Sequence, residues 1–284
     1  MGPRVALLGT GIMGSGMARN LAKVGLPLRV WNRTRKRAEP LRETGAMISD
    51  SPAEAVRDAD IVVTMLFDAD STAEVVNAAL DDLPKNATWV QMSTVGLDGT
   101  AGLAALAGAK GIGFVDAPVL GSKPGAEQGG LVVLASGPAE LRARVGPVLE
   151  AVGSKTTWVG ERAGMASRLK LVLNAWVLSL TAATAQSVAL AKALGLDEKL
   201  FLETIAGSPT DSQYAQIKGP AMINGEFGAA FTLEGAAKDS DLILAALRDT
   251  GTSPVLMAAI SELMHQAAEL GHGKEDMAAV RTAF

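Results

Sequence analysis

The sequence predicts an α/β protein in which a doubly wound parallel sheet precedes an all-α C-terminal domain, with one long helix joining the two. Three observations support this fold class. Short apolar runs alternate with helical patterns over residues 1–160, a glycine-rich loop follows the first apolar run, and residues 165–194 contain neither proline nor glycine. The predicted boundary gives a sheet domain at residues 1–162 and a helical domain at 163–284.

Composition limits the classes of protein to which this chain can belong. With 284 residues it has room for one large domain or two ordinary ones, and its net charge of −4 leaves no basic surface typical of nucleic-acid binding. The absence of cysteine excludes disulfides, zinc–thiolate sites and cysteine nucleophiles. His265 and His272 have no cluster of other ligands around them, so we expect surface positions and no metal. Glycines interrupt the first apolar run, which argues against a secretory signal and favours a cytoplasmic protein.

A strand-like run at residues 4–8 is followed by a glycine-rich loop and then by a helical pattern that ends at Gly25. The loop consists of Gly9, Thr10, Gly11, Ile12, Met13 and Gly14. Between a strand and a helix, this spacing is typical of a Rossmann-type dinucleotide site. Gly9 permits a tight turn, Gly11 lets a pyrophosphate approach the backbone, and Gly14 lets the helix pack on the strand. The alternative is a glycine-rich turn without a ligand.

The end of the second strand, residues 28–31, predicts which dinucleotide binds. An NAD site usually carries Asp or Glu here, whereas this chain has Asn32 followed by Arg33, Thr34 and Arg37. Asn32 does not repel a 2′-phosphate and the arginines attract it, so the predicted cofactor is NADP, as NADPH, with NAD less favoured. A solvated basic turn is the alternative.

The other elements of the predicted sheet domain follow in order. Ser51 and Ser71 each begin a capping pattern and so predict helix N-termini. Apolar runs predict strands at residues 61–66, 88–92, 113–116, 131–135 and 157–159, and helical patterns without strand signal lie at 198–207, 233–248 and 254–271. Ligands of such a sheet bind at the carboxyl ends of its strands.

Residues 164–194 predict a helix about 45 Å long, too long to be covered by one globular core. Residues 171–191 carry no charge, which raises the alternative of a membrane span, but polar side chains spread along them favour a helix buried between domains or subunits. An apolar face of this length would be unusual on a monomer, so we expect self-association. Lys170 and Asn174 stand four residues apart and share one face of the helix.

Five segments together resemble the β-hydroxyacid dehydrogenase family, which includes 3-hydroxyisobutyrate dehydrogenases and glyoxylate/succinic semialdehyde reductases. In chain order they are residues 9–14, 93–95, 116–122, 164–174 and 231–239. The matches occur in the family's order and cover nearly the whole length. The resemblance implies an extended Rossmann domain, a long interdomain helix and an all-helical domain, assembled as dimers or tetramers.

The resemblance also implies roles for individual residues. Lys170 would be catalytic with Asn174 beside it, the cofactor would also contact Leu66, Thr94 and Lys238, and the substrate would lie against Ser93, Thr94, Leu120, Gly121, Ser122, Lys170 and Asn174. Two positions depart from the family pattern. Leu120 replaces a serine expected to bind a carboxylate, and it either lines a less polar pocket or turns into the core. Ala166 replaces a glycine and crowds the start of the helix.

The chemistry of carbonyl reduction agrees with these roles. Hydride transfer builds negative charge on the carbonyl oxygen, which needs a donor, and the Lys170 ammonium would supply both charge and proton. Asn174 would hold either the lysine or the substrate oxygen. For oxidation the lysine must be neutral, so its pKa would have to fall from ~10.4.

The expected function is NADPH-dependent interconversion of small semialdehyde or keto acids and hydroxyacids. Imine reduction on the same scaffold is one alternative, although Lys170 argues against it. A non-catalytic dinucleotide-binding protein is another, and we expect no nucleic-acid or membrane partner.

Overall fold

The structure, a computed structural model, describes residues 2–284. Over this range the chain divides into two compact units, the first extending to Lys170 and the second covering Leu171–Phe284. The first unit is built on a mainly parallel sheet and the second is helical, which confirms the predicted fold class. The domain boundary after residue 162 remains a prediction.

The strands of the first unit are β1 Val5–Leu8, β2 Leu28–Trp31, β3 Met47–Ile48, β4 Ile61–Thr64, β5 Thr88–Gln91, β6 Gly113–Asp116, β7 Val119–Leu120, β8 Leu131–Ser136 and β9 Gly153–Gly160. Their order is β3-β2-β1-β4-β5-β6-β8-β7, and β9 pairs with β8. The first six strands run parallel in the order of a doubly wound dinucleotide-binding sheet. β8 runs antiparallel to β6 and β7.

Helices cover both faces of this sheet. They are α1 Ile12–Lys23, α2 Pro52–Val56, α3 Ala69–Asn77, α4 Gly96–Ala109, α5 Lys123–Gln128 and α6 Arg142–Val152. Side chains of β1 enter two separate cores: Leu7 belongs to the one that includes Met17 of α1, and Leu8 to the one that includes Val75 of α3. Because both faces are buried, β1 is apolar throughout and β4 is apolar up to Thr64, instead of alternating.

Several boundaries and one helix cap differ from the sequence predictions, and β9, predicted at residues 157–159, begins as early as Gly153. The apolar runs at 61–66 and 88–92 end as strands at Thr64 and Gln91, so the residues after them form loops at the carboxyl edge of the sheet. Ser71 does not begin α3, because the N-cap is Asp68, whose carboxylate accepts a hydrogen bond from Ser71 N at 2.8 Å. Ser51 caps α2 as predicted, accepting from Glu54 N at 3.1 Å.

The long helix is confirmed as α7, Met165–Ala193. By length and composition alone it could cross a membrane, and 44% of its most apolar window is buried within the chain. Val172 and Trp176, one turn apart, are 65% and 64% exposed, so a substantial part of its apolar surface is not covered by the chain itself. Self-association and cytoplasmic location remain predictions.

The second unit continues with α8 Lys199–Ile205, α9 Gln213–Asn224, α10 Leu233–Asp249 and α11 Val255–Ala267. The sequence did not predict α9, which contains Pro220. A buried ion pair joins α9 to the C-terminal segment, since Lys218 Nζ donates to Asp276 Oδ1 at 2.6 Å. His265 and His272 contact the carboxylates of Asp241 and Glu275, and no group of metal ligands occurs within residues 2–284.

Candidate active site

The glycine-rich loop joins β1 to α1 in a conformation that depends on glycine. Gly9 has a φ of +106°, and a Cβ there would lie 2.3 Å from the carbonyl oxygen of Met65. A Cβ on Gly14 would lie 2.0 Å from the carbonyl oxygen of Gly9, so the first turn of α1 packs directly on the loop. A Cβ on Gly11 would meet nothing within 4 Å. The loop is therefore closed on the side of the sheet and open beside Gly11.

This open side fits the pyrophosphate of a dinucleotide. Gly11 is the N-cap of α1 and provides no side-chain hydrogen bond, so Ile12 and Met13 begin the helix without a side-chain cap. The Thr10 hydroxyl is buried and has no hydrogen-bond partner among residues 2–284. Uncapped N–H groups, the positive end of the helix dipole and a missing Cβ together form the environment that a phosphate requires.

Asn32 ties this loop to the end of β2. Its Oδ1 accepts a hydrogen bond from Thr10 N at 3.0 Å, and its Nδ2 donates to the carbonyl oxygen of Thr34, also at 3.0 Å. Aspartate could accept the first bond but could not donate the second, and it would add a negative charge. Asn32 therefore shapes the loop without adding a negative charge to this edge of the site.

The cations that follow Asn32 differ in their partners. Arg35 forms ion pairs with Glu39, at 2.7 Å, and with Asp50. Arg33 and Arg37 are exposed, as is Thr34, and neither arginine forms an ion pair with any residue in the range 2–284. The two arginines predicted to bind a 2′-phosphate are thus the ones that no carboxylate of this range neutralises.

Ser93 follows β5 and connects two neighbouring loops. Its fully buried hydroxyl accepts a hydrogen bond from Leu66 N at 2.8 Å, and its backbone N–H donates to Gln91 Oε1 at 2.7 Å. The predicted contact of Ser93 with substrate stays a prediction. Thr94, the next residue, is partly exposed, so it is the side chain of this pair that extends beyond the loop.

The predicted substrate loop begins after β6 and includes β7. Val119 is 4% exposed and belongs to the core, whereas Leu120 is partly exposed. The two interpretations of this side chain, lining the pocket or turning into the core, both stay predictions. Gly121 has a φ of +130°, and Ser122 begins α5 without using its hydroxyl as a cap.

The helix after this loop packs tightly on α1, a contact that sequence reasoning missed. A Cβ on Gly16 would lie 2.7 Å from the backbone carbon of Ala126, so only glycine allows α1 and α5 to approach this closely. Asn20 Nδ2 donates to the carbonyl oxygen of Ala126 at 2.7 Å. A side chain of α1, which follows the glycine loop, therefore bonds to the backbone of α5, which follows the substrate loop.

Sequence reasoning also missed the side chain that caps α7. Asp116, fully buried at the carboxyl end of β6, accepts hydrogen bonds at Oδ2 from Gly164 N at 3.0 Å and from Ser167 N at 2.9 Å. Its Oδ1 accepts from Ser167 Oγ at 2.8 Å. Burial raises the pKa of the Asp116 carboxyl above its usual value, while the hydrogen bonds from Ser167 and Gly164 act against that shift. A signal was present, since an acidic residue ends an otherwise apolar strand.

Lys170 lies on α7, three residues beyond Ser167, and is 7% exposed. In the second unit, Asn174 is buried and its Nδ2 donates to Asp239 Oδ2 at 2.6 Å. The other oxygen of Asp239 forms an ion pair with Lys238 Nζ at 2.6 Å. The structure thus brings Asn174 and Lys238 together through Asp239. The cofactor and substrate roles of these residues stay predictions.

Comparison with known proteins covers both units. Residues 4–160 match the model of the NAD-binding domain of 6-phosphogluconate dehydrogenase, and residues 164–283 match the NAD-binding model of NADP-dependent 3-hydroxyisobutyrate dehydrogenase. The chain is 33% identical to chloroplastic glyoxylate/succinic semialdehyde reductase 2 of Arabidopsis thaliana, over 99% of this chain and 79% of the relative. It is 32% identical to 3-sulfolactaldehyde reductase of Escherichia coli (strain K12), over 97% of this chain and 94% of the relative.

Solved structures show the same scaffold. Mycobacterium tuberculosis 3-hydroxyisobutyrate dehydrogenase with L-serine is 26% identical, with a TM-score of 0.88 over 99% of both chains. A reductive aminase from Aspergillus terreus, in complex with NADPH and ethyl levulinate, is also 26% identical but has a TM-score of 0.67, over 99% of this chain and 98% of that one. At equal identity, the backbone is closer to the dehydrogenase. Because the similarity extends through both units, the chain belongs to the β-hydroxyacid dehydrogenase family and is an oxidoreductase that uses a nicotinamide dinucleotide.

Proposed function

We propose that this enzyme reduces small semialdehyde or keto acids with NADPH and oxidises the corresponding hydroxyacids in reverse, with Lys170 as general acid and base. The observation that carries the proposal is the burial of Lys170, which is 7% exposed and directly precedes the uncharged residues 171–191 of α7. Burying an ammonium costs free energy, and buried titratable groups are concentrated at functional sites. Glyoxylate, succinic semialdehyde and 3-sulfolactaldehyde, named for the relatives, are all small aldehydes that carry an anionic group.

The bound cofactor supplies the hydride, and the chain supplies the proton. The Lys170 ammonium would donate from Nζ to the carbonyl oxygen as negative charge develops there. The contact with Asp239 fixes the orientation of the Asn174 amide. Because a carboxylate only accepts hydrogen bonds, it must face the Asn174 Nδ2. The Asn174 Oδ1 is then directed away from Asp239 as an acceptor, one turn along the helix from Lys170. Since Nδ2 has a second N–H, the amide has the groups both to hold the lysine and to donate to the substrate oxygen.

A turnover assay with NADPH tests the proposal. The panel consists of glyoxylate, succinic semialdehyde, an uncharged ketone and a cyclic imine. We expect the highest kcat/KM for an aldehyde acid. Fastest turnover of the imine would contradict the proposal in favour of imine reduction, and no turnover of any compound would favour a non-catalytic protein.

NADPH should be preferred over NADH, and Arg33→Ala should remove much of that preference. A charge-assisted contact to the 2′-phosphate contributes ~1.5–3 kcal/mol, so kcat/KM for NADPH should fall roughly 10- to 150-fold while that for NADH changes little. Arg35→Ala is the matched control, because it removes the same charge from the same turn but from a side chain already paired with Glu39 and Asp50. Equal kinetics with both cofactors in the unmutated enzyme would contradict this preference.

Leu120→Ser should shift substrate preference toward acids. Leu120 is partly exposed beside Gly121, and a hydroxyl at this position restores one hydrogen bond to a carboxylate. Such a bond to a charged group contributes ~1.5–3 kcal/mol, so we expect the ratio of kcat/KM for succinic semialdehyde to that for an uncharged ketone to rise about tenfold or more. Leu120→Ala removes the bulk without adding the hydroxyl and separates the two effects. A ratio that Leu120→Ser leaves unchanged would place this side chain outside the pocket.

A further inference from the structure

We propose that Asp116 is a positioning residue, whose carboxylate holds the first turn of α7 on the sheet and thereby fixes where Lys170 presents its ammonium. This inference rests on the proposed role of Lys170. It adds a residue that lies outside the glycine loop, the basic turn and the substrate loop proper, and that acts through the lysine without touching substrate.

The first step of the argument is the geometry of the contact. Asp116 ends β6 at the carboxyl edge of the sheet, where ligands of this fold class bind. It accepts two backbone N–H groups and one hydroxyl from the start of α7, at 2.8–3.0 Å. These N–H groups belong to Gly164, in the turn before the helix, and to Ser167, in its first turn. Asp116 is thus the N-terminal cap of α7, supplied by a strand that is distant in sequence.

A second layer of buried hydroxyls supports the same turn. Ser136 of β8 lies opposite Asp116 in the sheet, and its Oγ accepts a hydrogen bond from Ala166 N at 3.0 Å and donates to Asp116 Oδ2 at 3.3 Å. Thr100 Oγ1 lies 3.0 Å from Ser167 Oγ. Asp116, Ser136 and Thr100 are fully buried, so water does not compete for these bonds.

The third step is the position of Lys170 relative to this contact. Lys170 follows Ser167 by three residues, so the two lie on neighbouring positions of one helix face. The compact first unit ends at Lys170. The bonds to Asp116, together with the bond from Ala166 N to Ser136, therefore link the helix turn before the lysine to the sheet that carries the glycine loop.

The test is Asp116→Ala and Asp116→Asn, each made alone and together with Lys170→Ala. Alanine removes every acceptor, so we expect kcat for an aldehyde acid to fall roughly 10- to 100-fold, the scale of misplacing a catalytic group by about 1 Å. The Kd for NADPH should stay within about twofold, because the glycine loop keeps its contacts. Asparagine should recover most of the loss, since its amide oxygen accepts both backbone N–H groups and its nitrogen donates to Ser167 Oγ.

The double variants show whether Asp116 acts through the lysine. In the Lys170→Ala background, Asp116→Ala should cause no further loss of kcat, because there is no ammonium left to position. The same fractional loss in both backgrounds, or no loss in either, would overturn the proposal. A near-normal kcat for Lys170→Ala alone would instead contradict the proposed function, so the two failures are distinct.

Two further variants keep the test decisive. Asp81→Ala is the matched control, since Asp81 is a carboxylate of the same unit whose side chain is 92% exposed and contacts only the exposed Lys110. It should leave kcat unchanged. If Asp116→Ala does not fold, Ser167→Ala removes one of the three bonds and retains both backbone contacts. It is judged by the same comparison between the two backgrounds, with an expected loss of about two- to fivefold.

Discussion

Lys170→Ala should lower kcat for the reduction of an aldehyde acid at least about 100-fold while leaving the Kd for NADPH nearly unchanged. Loss of a general acid typically costs 10²- to 10⁴-fold, because the developing oxyanion then takes its proton from water. Alanine is the best helix former, so α7 should persist and the start of the helix should keep its cap. Steady-state kinetics and a fluorescence titration with NADPH measure the two quantities separately.

A control variant and the pH dependence of the rate make this experiment specific to Lys170. Lys192→Ala removes an exposed lysine from the last turn of the same helix and should change neither quantity. Reduction needs the protonated lysine, so the rate of the unmutated enzyme should fall at alkaline pH, and this limb of the profile should disappear in Lys170→Ala. A variant with near-normal kcat would remove Lys170 from the mechanism.

Gly11→Ala and Gly14→Ala should affect different properties, although both add one methyl group to the same loop. The first should weaken cofactor binding and the second should lower stability. At Gly11 the methyl meets nothing within 4 Å of the chain, so the melting temperature without cofactor should be nearly unchanged. That methyl occupies the side open to the pyrophosphate. The Kd for NADPH should rise roughly 10- to 150-fold, which corresponds to the loss of one charge-assisted hydrogen bond of ~1.5–3 kcal/mol.

At Gly14 the methyl would lie 2.0 Å from the carbonyl oxygen of Gly9, and a backbone atom cannot rotate away. We expect a destabilisation of ~1–3 kcal/mol from the forced shift, seen as a lower melting temperature of the cofactor-free protein. Thermal unfolding and NADPH titration of both variants check the pair. Normal NADPH affinity in Gly11→Ala would contradict the assignment of this loop to the cofactor.

Elements with a strong local pattern were predictable from the sequence. The strand, glycine loop and helix at the N-terminus appear as β1, loop and α1, and residues 164–194 contain α7. The predictions of helix ends and helices were wrong where another residue or the burial of neighbours outweighed a local preference. Ser71 has capping chemistry, but Asp68 brings a carboxylate to the same helix end and takes the position. Pro220 weakens the helical pattern of α9, while burial of its neighbours retains the helix.

In the candidate site, too, local patterns were predictable and contacts between distant residues were not. The glycine loop and the basic turn were identified because each is continuous in sequence. The partner of Asn174 lies 65 residues away and the contacts of Asp116 span 48 and 51 residues, so no local pattern shows them. Leu120 was ambiguous for another reason: in a two-residue strand there is too little alternation to show which side chain enters the core.

The close contact between α1 and α5 has a consequence for engineering. Gly16 and Asn20 of α1 contact the backbone of α5 at Ala126. The helix that follows residues 117–122 is therefore held in place independently of the side chains of those six residues. A chimaera that exchanges only this segment, and retains Gly16, Asn20 and Ala126, keeps both the packing contact at Gly16 and the hydrogen bond from Asn20. Under the substrate role proposed for this segment, its exchange should transfer substrate preference between relatives, whereas a larger side chain at position 16 would displace the loop whatever its sequence.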